Sequence, residues 1–595
     1  MCGIYASISN QQHSPQEKYC PVHRGPDDFG SVVLLGGRVH LKHWRLSILD
    51  LTSGGHQPMN SLNARYTMIF NGEIYNYIEL RQTLKDKGFK FFSESDTEVL
   101  LKIFELYGLA GIEMLNGIFA LVIWDNIEKR IYAIRDRFGV KPLYWKFENG
   151  HLEVASEIKQ LTSSSNKANL DKCVDYLESG TTDHSIETLF SGIYQLRGGS
   201  YFIASQTEEF RPIVNKWHRQ EIKEINGNFE DIFDNAIKMQ LRSDVPVGTC
   251  LSGGLDSTSI AIAMKKIQPE LELNTFTAIF PGSSIDESET AKKTAARLNA
   301  IHHEVRVSPH KVLEAIEEQA WIHDEPTGSS SMLAQYEVMK TASAKGMKVM
   351  LDGQGADEIF GGYNSTFDYF KREKIDLPIR SDRLNWKTIQ RVMHLIRAGS
   401  SPGNLTDPNW LLPEFKNRVS GAHSAWQNGL LENEIEEPNS VKDFLTYMTY
   451  VVSLPMLLHS EDRNSMANGI EARVPFLDNA LVDYALNLPI NSRMTNKFSK
   501  IPIRKYLEGK VSPEIYRNTK KLGFATPEKE WFQTILRKDV EKMYTESAHM
   551  NREIVNVDVA VWNLNQKLEN HQSWDFTVWR LLSFNAWRKK FNVNF

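Results

Sequence analysis

Short apolar runs separated by turn residues dominate the first third of the chain. Tyr66-Thr67-Met68-Ile69-Phe70 and Ile118-Phe119-Ala120-Leu121-Val122-Ile123-Trp124 carry the β-branched and aromatic residues of strands, with Gly, Asn and Asp between such runs. Two stretches with helical spacing, Ile78 to Lys87 and Thr97 to Tyr107, are interleaved. From Cys2 to about Ala204 the pattern predicts an α+β unit with mostly antiparallel strands. Between Ser205 and Asn228 the chain turns polar and charged. Beyond it, apolar runs (Val245 to Leu251, Thr275 to Phe280, Val349 to Leu351) alternate with helical segments (Thr258 to Ile267, Glu287 to Leu298, Met332 to Ala344). That rhythm predicts an α/β unit, a parallel sheet with crossover helices. The expected domains are residues 2–210 and 225–595. The stretch from about Leu377 to Glu436 yields no reading beyond a helical insertion or a partner surface.

Composition narrows the function classes. Hydrophobic residues make up 41% of 595 and charged residues 24%, enough apolar surface for two large cores. A net charge of -5 offers no surplus for a phosphate backbone, so nucleic acid is not an expected partner; small-molecule substrates are. Four scattered cysteines form no disulfide framework, which points to a reducing cytoplasm. No secretory leader is evident, and no apolar run reaches the roughly 20 residues that cross a bilayer. A homodimer is left open.

Candidate chemistry starts at Cys2. Methionine is commonly trimmed before a small residue, and the exposed α-amine, with an ordinary pKa near 7.7–8.0, can serve as base to its own thiol. Taken alone, Cys2 reads more readily as a free cysteine near a terminus. It is followed by His23-Arg24-Gly25-Pro26-Asp27-Asp28, His43-Trp44-Arg45-Leu46-Ser47-Ile48, Asn71-Gly72-Glu73-Ile74-Tyr75-Asn76 and Ser95-Asp96-Thr97-Glu98. Cys2-Gly3-Ile4 with these blocks resembles the glutaminase domain of class II glutamine amidotransferases. That resemblance implies an N-terminal-nucleophile hydrolase fold, two stacked antiparallel sheets between helical layers. It implies Cys2 as nucleophile, with Asn71 and the Gly72 N–H as oxyanion hole. Arg45, Leu46, Ser47, Ile48, Leu49, Glu73 and Asp96, with Asn71 and Gly72, would hold glutamine. Two departures are a short segment between Ile8 and His23 and Trp44 where a polar residue is frequent.

In the second half, apolar Val245 to Leu251 runs into Ser252-Gly253-Gly254-Leu255-Asp256-Ser257-Thr258 and a helical pattern. A strand, a glycine turn and a helix N-terminus make a phosphate cradle, and no Walker lysine is present. This string resembles the pyrophosphate loop of ATP-pyrophosphatases, implying ATP as substrate and an acyl-adenylate. Asp256 and Asp357, the latter in Gly353-Gln354-Gly355-Ala356-Asp357-Glu358, would hold Mg²⁺; singly, each reads as a helix-capping residue. Arg463-Asn464-Ser465-Met466-Ala467, Glu471-Ala472-Arg473-Val474-Pro475-Phe476-Leu477-Asp478 and Lys521-Leu522-Gly523-Phe524 extend the resemblance to the glutamine-hydrolysing asparagine synthetase family, in its bacterial form. By that resemblance Leu251, Ser252, Gly253, Gly254, Asp256, Ser257, Ala278, Asp352 and Gly353 contact the nucleotide, and Lys521 stabilises charge at the adenylate. His302-His303-Glu304 has no third ligand at metal spacing and reads as structural.

The acceptor loop departs from the family pattern. Where these synthetases usually have Ser and an acidic residue, this loop has Asp352 and Gln354. Gln354 can orient ammonia but cannot take its proton. Thr327-Gly328-Ser329-Ser330-Ser331 offers hydroxyls near the expected acceptor pocket, and no arginine for an aspartate carboxylate. Aspartate and another carboxylate, such as a sugar uronate, both stay open. A glutaminase that has lost its synthetase step fits Asp256, Asp357 and Lys521 poorly. Two active sites sharing ammonia predict a buried, mainly apolar passage from Cys2 to the Gln354 loop.

Overall fold

A computed structural model describes residues 2–15, 19–218, 222–374, 410–416, 440–519 and 525–595. Lys521 and most of 377–436 lie outside them.

Two six-stranded antiparallel sheets form the first half. One runs in the spatial order Ile193–Gln195, Tyr144–Glu148, His151–Ala155, Gly3–Ser9, Val39–Arg45, Asp28–Leu34. The other runs Ile213–Lys216, Ser200–Ser205, Arg130–Arg135, Gly117–Asp125, Tyr66–Ile74, Met59–Asn60. Strand alternation stacks them: Ile4, Ala6, Ile8, Val39 and Leu41 of the first meet Ile69, Ala120, Val122 and Ala133 of the second. The intervening residues Met68, Phe70, Leu121 and Ile123 face the other way, onto helices Tyr77–Asp86 and Asp96–Tyr107. The latter helix starts where Ser95 Oγ accepts the Thr97 N–H at 3.0 Å, with Asp96 and Glu98 in its first turn.

The outer face of the first sheet is covered from both ends of the sequence. Tyr5, Trp44 and Tyr144 pack with helix Leu170–Ser179 and with Trp579, Phe584 and Trp587 of the C-terminal helix Thr577–Phe591. The final strand, Val593–Asn594, pairs in parallel with Asn166–Lys167. The stacked sheets between helical layers match the fold expected of the first half; the C-terminal contribution was not legible in the sequence.

The second half is built on a five-stranded parallel sheet, ordered Ile301–Arg306, Asn274–Ile279, Val247–Cys250, Val349–Leu351, Glu471–Arg473. The chain leaves the central strand Val247–Cys250 first toward one edge and later toward the other. A crevice therefore opens at the C-terminal ends of Val247–Cys250 and Val349–Leu351, where open α/β sheets bind ligands. The loops that follow those two strands carry Ser252 to Ser257 and Asp352 to Asp357. His302 and His303 lie on the edge strand, bonded to Thr275 and Asn274 at 2.9 Å, consistent with a structural role. Among the described residues no helix is long and apolar enough to cross a membrane.

Candidate active sites and the contact between them

Cys2 stands at the edge of the sheet sandwich. Its backbone N–H donates to Asn71 Oδ1 at 2.9 Å, across from strand Tyr66–Ile74 of the other sheet. Asn71 is fully buried, and its Nδ2 finds no acceptor among the described residues. Leaving such a donor unpaired costs about 1–3 kcal/mol, which makes this amide available to an incoming oxyanion. Gly72 follows with φ 157°, and a Cβ there would lie 2.1 Å from the Ile118 carbonyl oxygen of the neighbouring strand. Only glycine fits that close approach. Burial pushes the Cys2 thiol up, opposed by the Leu46 backbone N–H.

The pocket beside Cys2 is lined by Arg45, Leu46, Ile48, Leu49, Gly72, Glu73 and Asp96, and also by Glu471 from the far half of the chain. Arg45 donates to the Thr52 carbonyl at 2.7 Å and to those of Leu49 and Asp50, so it also moulds the loop that forms one wall. Ser47, whose N–H donates to Asp27 at 2.7 Å, is not among the lining residues. Burial raises Asp96 to about 6, and burial together with the Asp96 charge holds Glu73 well above the usual carboxylate range. Two buried carboxyls with raised proton affinity form a receptor for a cation, and a ligand ammonium between them would return both to the charged form.

The second site opens at the crevice of the parallel sheet. Leu251, Ser252, Gly253, Gly254, Asp256, Ser257, Ala278, Asp352, Gly353, Gln354 and Asp357 all line one cavity. Helix Leu255–Ile267 starts at Gly254, whose N–H donates to Ser252 Oγ at 3.1 Å, and Ser252 Oγ meets Ser257 Oγ at 3.0 Å. Its first turn is aimed at the cavity, the geometry that favours phosphate. Lys500 Nζ lies 2.6 Å from both Asp256 Oδ2 and Asp357 Oδ1. Those carboxylates hold its ammonium well above the usual lysine range despite burial.

Residues 228–589 match the asparagine synthase family profile, and residues 1–217 match the glutamine amidotransferase domain profile. The chain belongs to the asparagine synthase family. It is similar to glutamine-hydrolyzing asparagine synthetase 1 of Bacillus subtilis, 32% identical over 95% of this chain and 92% of the relative. It is also similar to synthetase 3 of that organism, at 29% over 90% of each chain, and to "Amidase chry2" of Gibberella zeae, at 27% over 95% and 94%. As a member of the asparagine synthase family the chain is an ATP-dependent ligase of the glutamine amidotransferase type.

Sequence reasoning about the synthetase half of this family member missed Lys500. The cation anticipated at Lys521 lies outside the described residues, whereas Lys500 bridges the two acidic loops. It sits in a left-handed turn ahead of helix Ile501–Leu507, and nothing local separates it from a surface lysine. The Thr327 to Ser331 hydroxyls do not line the cavity. Ser330 Oγ donates to Glu528 at 2.7 Å, Ser329 meets Ser331, and the Thr327 N–H donates to Ser583 at 2.9 Å.

Ionic contacts run between the two sites, beside a buried apolar cluster that includes Leu46 and Ile48 of the Cys2 pocket and Leu251 and Leu351 at the parallel sheet. Arg24 Nε donates to the Cys2 carbonyl at 3.1 Å, and its two terminal nitrogens grip Asp462 at 2.9 and 3.1 Å. Asp462 adjoins Glu461 on helix Ser453–Met466, and Glu461 reaches Gln354 at 3.5 Å. On a second route, Arg473 lies 3.4 Å from Glu73 in the Cys2 pocket, while its carbonyl accepts the Asp352 N–H at 2.9 Å.

Proposed function

We propose that residues 2–210 hydrolyse glutamine at Cys2, and that residues 225–595 use ATP to adenylate a carboxylate and pass the ammonia to it, releasing AMP and pyrophosphate. Aspartate is the acceptor this reading favours, on the strength of the asparagine synthetases it is similar to. One observation carries the coupling: the three-residue strand Glu471–Arg473 touches both sites. Glu471 lines the Cys2 pocket, and the Arg473 carbonyl holds the first residue of the Asp352 loop.

In this mechanism the α-amine of Cys2, bonded to Asn71 Oδ1, takes the thiol proton, and the thiolate attacks the glutamine amide. Asn71 Nδ2 and the Gly72 N–H stabilise the oxyanion. Glu73 and Asp96 hold the α-ammonium. In the second site the Gly253-Gly254 turn and the helix start hold the phosphates. Lys500 sits at the phosphate end and offsets charge as pyrophosphate leaves. Asp256 and Asp357 are hard oxygen donors at the lip of the cavity, a set that fits Mg²⁺ together with phosphate oxygens. When bound, Mg²⁺ would neutralise triphosphate charge.

A second reading keeps the chemistry and changes the acceptor, to a sugar uronate for example. Asp352 and Gln354 favour it, as do relatives named amidases that align over 95% of this chain. The serine-rich segment does not, because its hydroxyls are engaged elsewhere. The deciding experiment follows glutamine- and ATP-dependent pyrophosphate release across aspartate and several uronic acids. Release with aspartate alone establishes the first reading, and release with a uronate alone establishes the second.

A further inference from the structure

Gln354 leaves the synthetase site without the acidic side chain expected at that place in the loop, yet the fold brings two other acids to it. Glu461, on helix Ser453–Met466, is 2% exposed. Its Oε2 accepts from Gln354 Nε2 at 3.5 Å and from Gln335 Nε2, and both glutamines line the nucleotide cavity. Its Oε1 has no hydrogen-bond donor among the described residues. The Asp352 carboxyl lies at hydrogen-bond range of Glu461 and itself lines the cavity. Two carboxyls in contact with no donor between them can bond only by sharing a proton.

We propose that the Asp352–Glu461 carboxyl pair takes the proton ammonia sheds during attack on the acyl-adenylate, with Gln354 orienting the nucleophile. This rests on the adenylation reading above. The ammonia nitrogen bonds to the acyl carbon, and the bond from that carbon to the AMP oxygen breaks, AMP leaving with the electron pair. One proton passes from nitrogen to the pair, which goes from doubly ionised to singly protonated with the proton shared between the two carboxyls, and the product is a neutral amide. Gln354 suits the arrangement: its amide donates to Glu461, whereas a third acid would add like charge. The groups facing the pair are Gln335, Gln354, the Cys250 thiol against Asp352, and Lys141, which also pairs with Asp462 at 3.7 Å. Burial and the neighbouring Asp352 charge hold Glu461 well above the usual carboxylate range, the direction that makes it a better proton acceptor.

The test separates the two half-reactions in the full-length protein, with ammonium chloride as nitrogen source and the acceptor that supports pyrophosphate release. Glu461→Gln should keep acceptor-dependent exchange of pyrophosphate into ATP and lose about 100-fold in amide formation. Its kcat–pH profile should have its acid limb moved to lower pH, because Asp352 is then relieved of the neighbouring acid. Adding Gln354→Glu to that variant should recover at least about tenfold of the lost rate. Amide formation at the unaltered rate in Glu461→Gln would overturn the proposal. So would equal loss of exchange and amide formation, which would make Glu461 a structural residue. Absence of pyrophosphate release from the unaltered protein is a different result, and overturns the adenylation reading instead.

Discussion

Replacing Asn71 with alanine isolates the oxyanion donor from the rest of the glutaminase site. The side chain does two things: Oδ1 accepts the Cys2 N–H at 2.9 Å, and Nδ2 is buried with no acceptor among the described residues. Losing the first bond costs about 0.5–1.5 kcal/mol of stability, while removing the unpaired donor returns about 1–3 kcal/mol. The variant should therefore melt within a few degrees of the unaltered protein. Catalysis has no such offset, because loss of one preorganised donor costs about 2.7–4 kcal/mol at the transition state, or about 10²–10³ in kcat. Glutamine hydrolysis followed by glutamate release should fall by that factor with KM little changed, and synthesis from ammonium should continue, as it should in Cys2→Ala. Glutamine turnover within threefold of the unaltered protein would refute the assignment. Equal loss of ammonium-dependent synthesis would show that the substitution acts on folding.

Other expectations follow from the same geometry. Lys500→Met should abolish acceptor-dependent pyrophosphate release and leave glutamine hydrolysis intact; release at more than a tenth of the normal rate would remove Lys500 from the adenylation step. Asp96 is raised to about 6 by burial, so it protonates as pH falls through that value and loses its attraction for the glutamine ammonium. Glutamine affinity, measured by calorimetry on Cys2→Ala, should weaken about tenfold per pH unit below about 6, and Asp96→Asn should flatten that dependence. During turnover on ¹⁵N-amide glutamine, added unlabelled ammonium should dilute the product label only weakly, since the contacts between the sites are buried; dilution at the bulk ratio would show that ammonia escapes.

Local chemistry was the legible part of this protein. Strand alternation located Tyr66–Ile74 and Gly117–Asp125 to within a few residues, and the glycine turn at Ser252 to Gly254 gave the helix start and the cavity wall. What could not be read depends on partners far along the chain. Lys500 acquires its place from Asp256, 244 residues away, and Glu461 from Gln354, 107 residues away. Glu471 and Arg473 are near neighbours in sequence, and only the fold reveals that Glu471 lines the Cys2 pocket while Arg473 reaches Glu73. The ion pairs between the sites escaped because complementary buried charges are invisible without pairing.

The last strand, Val593–Asn594, closing on Asn166–Lys167 has a consequence for how the protein is made. Translation emits residues 2–210 well before helix Thr577–Phe591, which covers Tyr5, Trp44 and Tyr144. At about 5–20 residues per second, that face waits roughly 20–80 s for its cover. During the wait it is an apolar surface open to chaperones and to other nascent chains. A chain without helix Thr577–Phe591 would present the same surface permanently, so cutting at the polar stretch after Ser205 would leave the glutaminase half with that face bare.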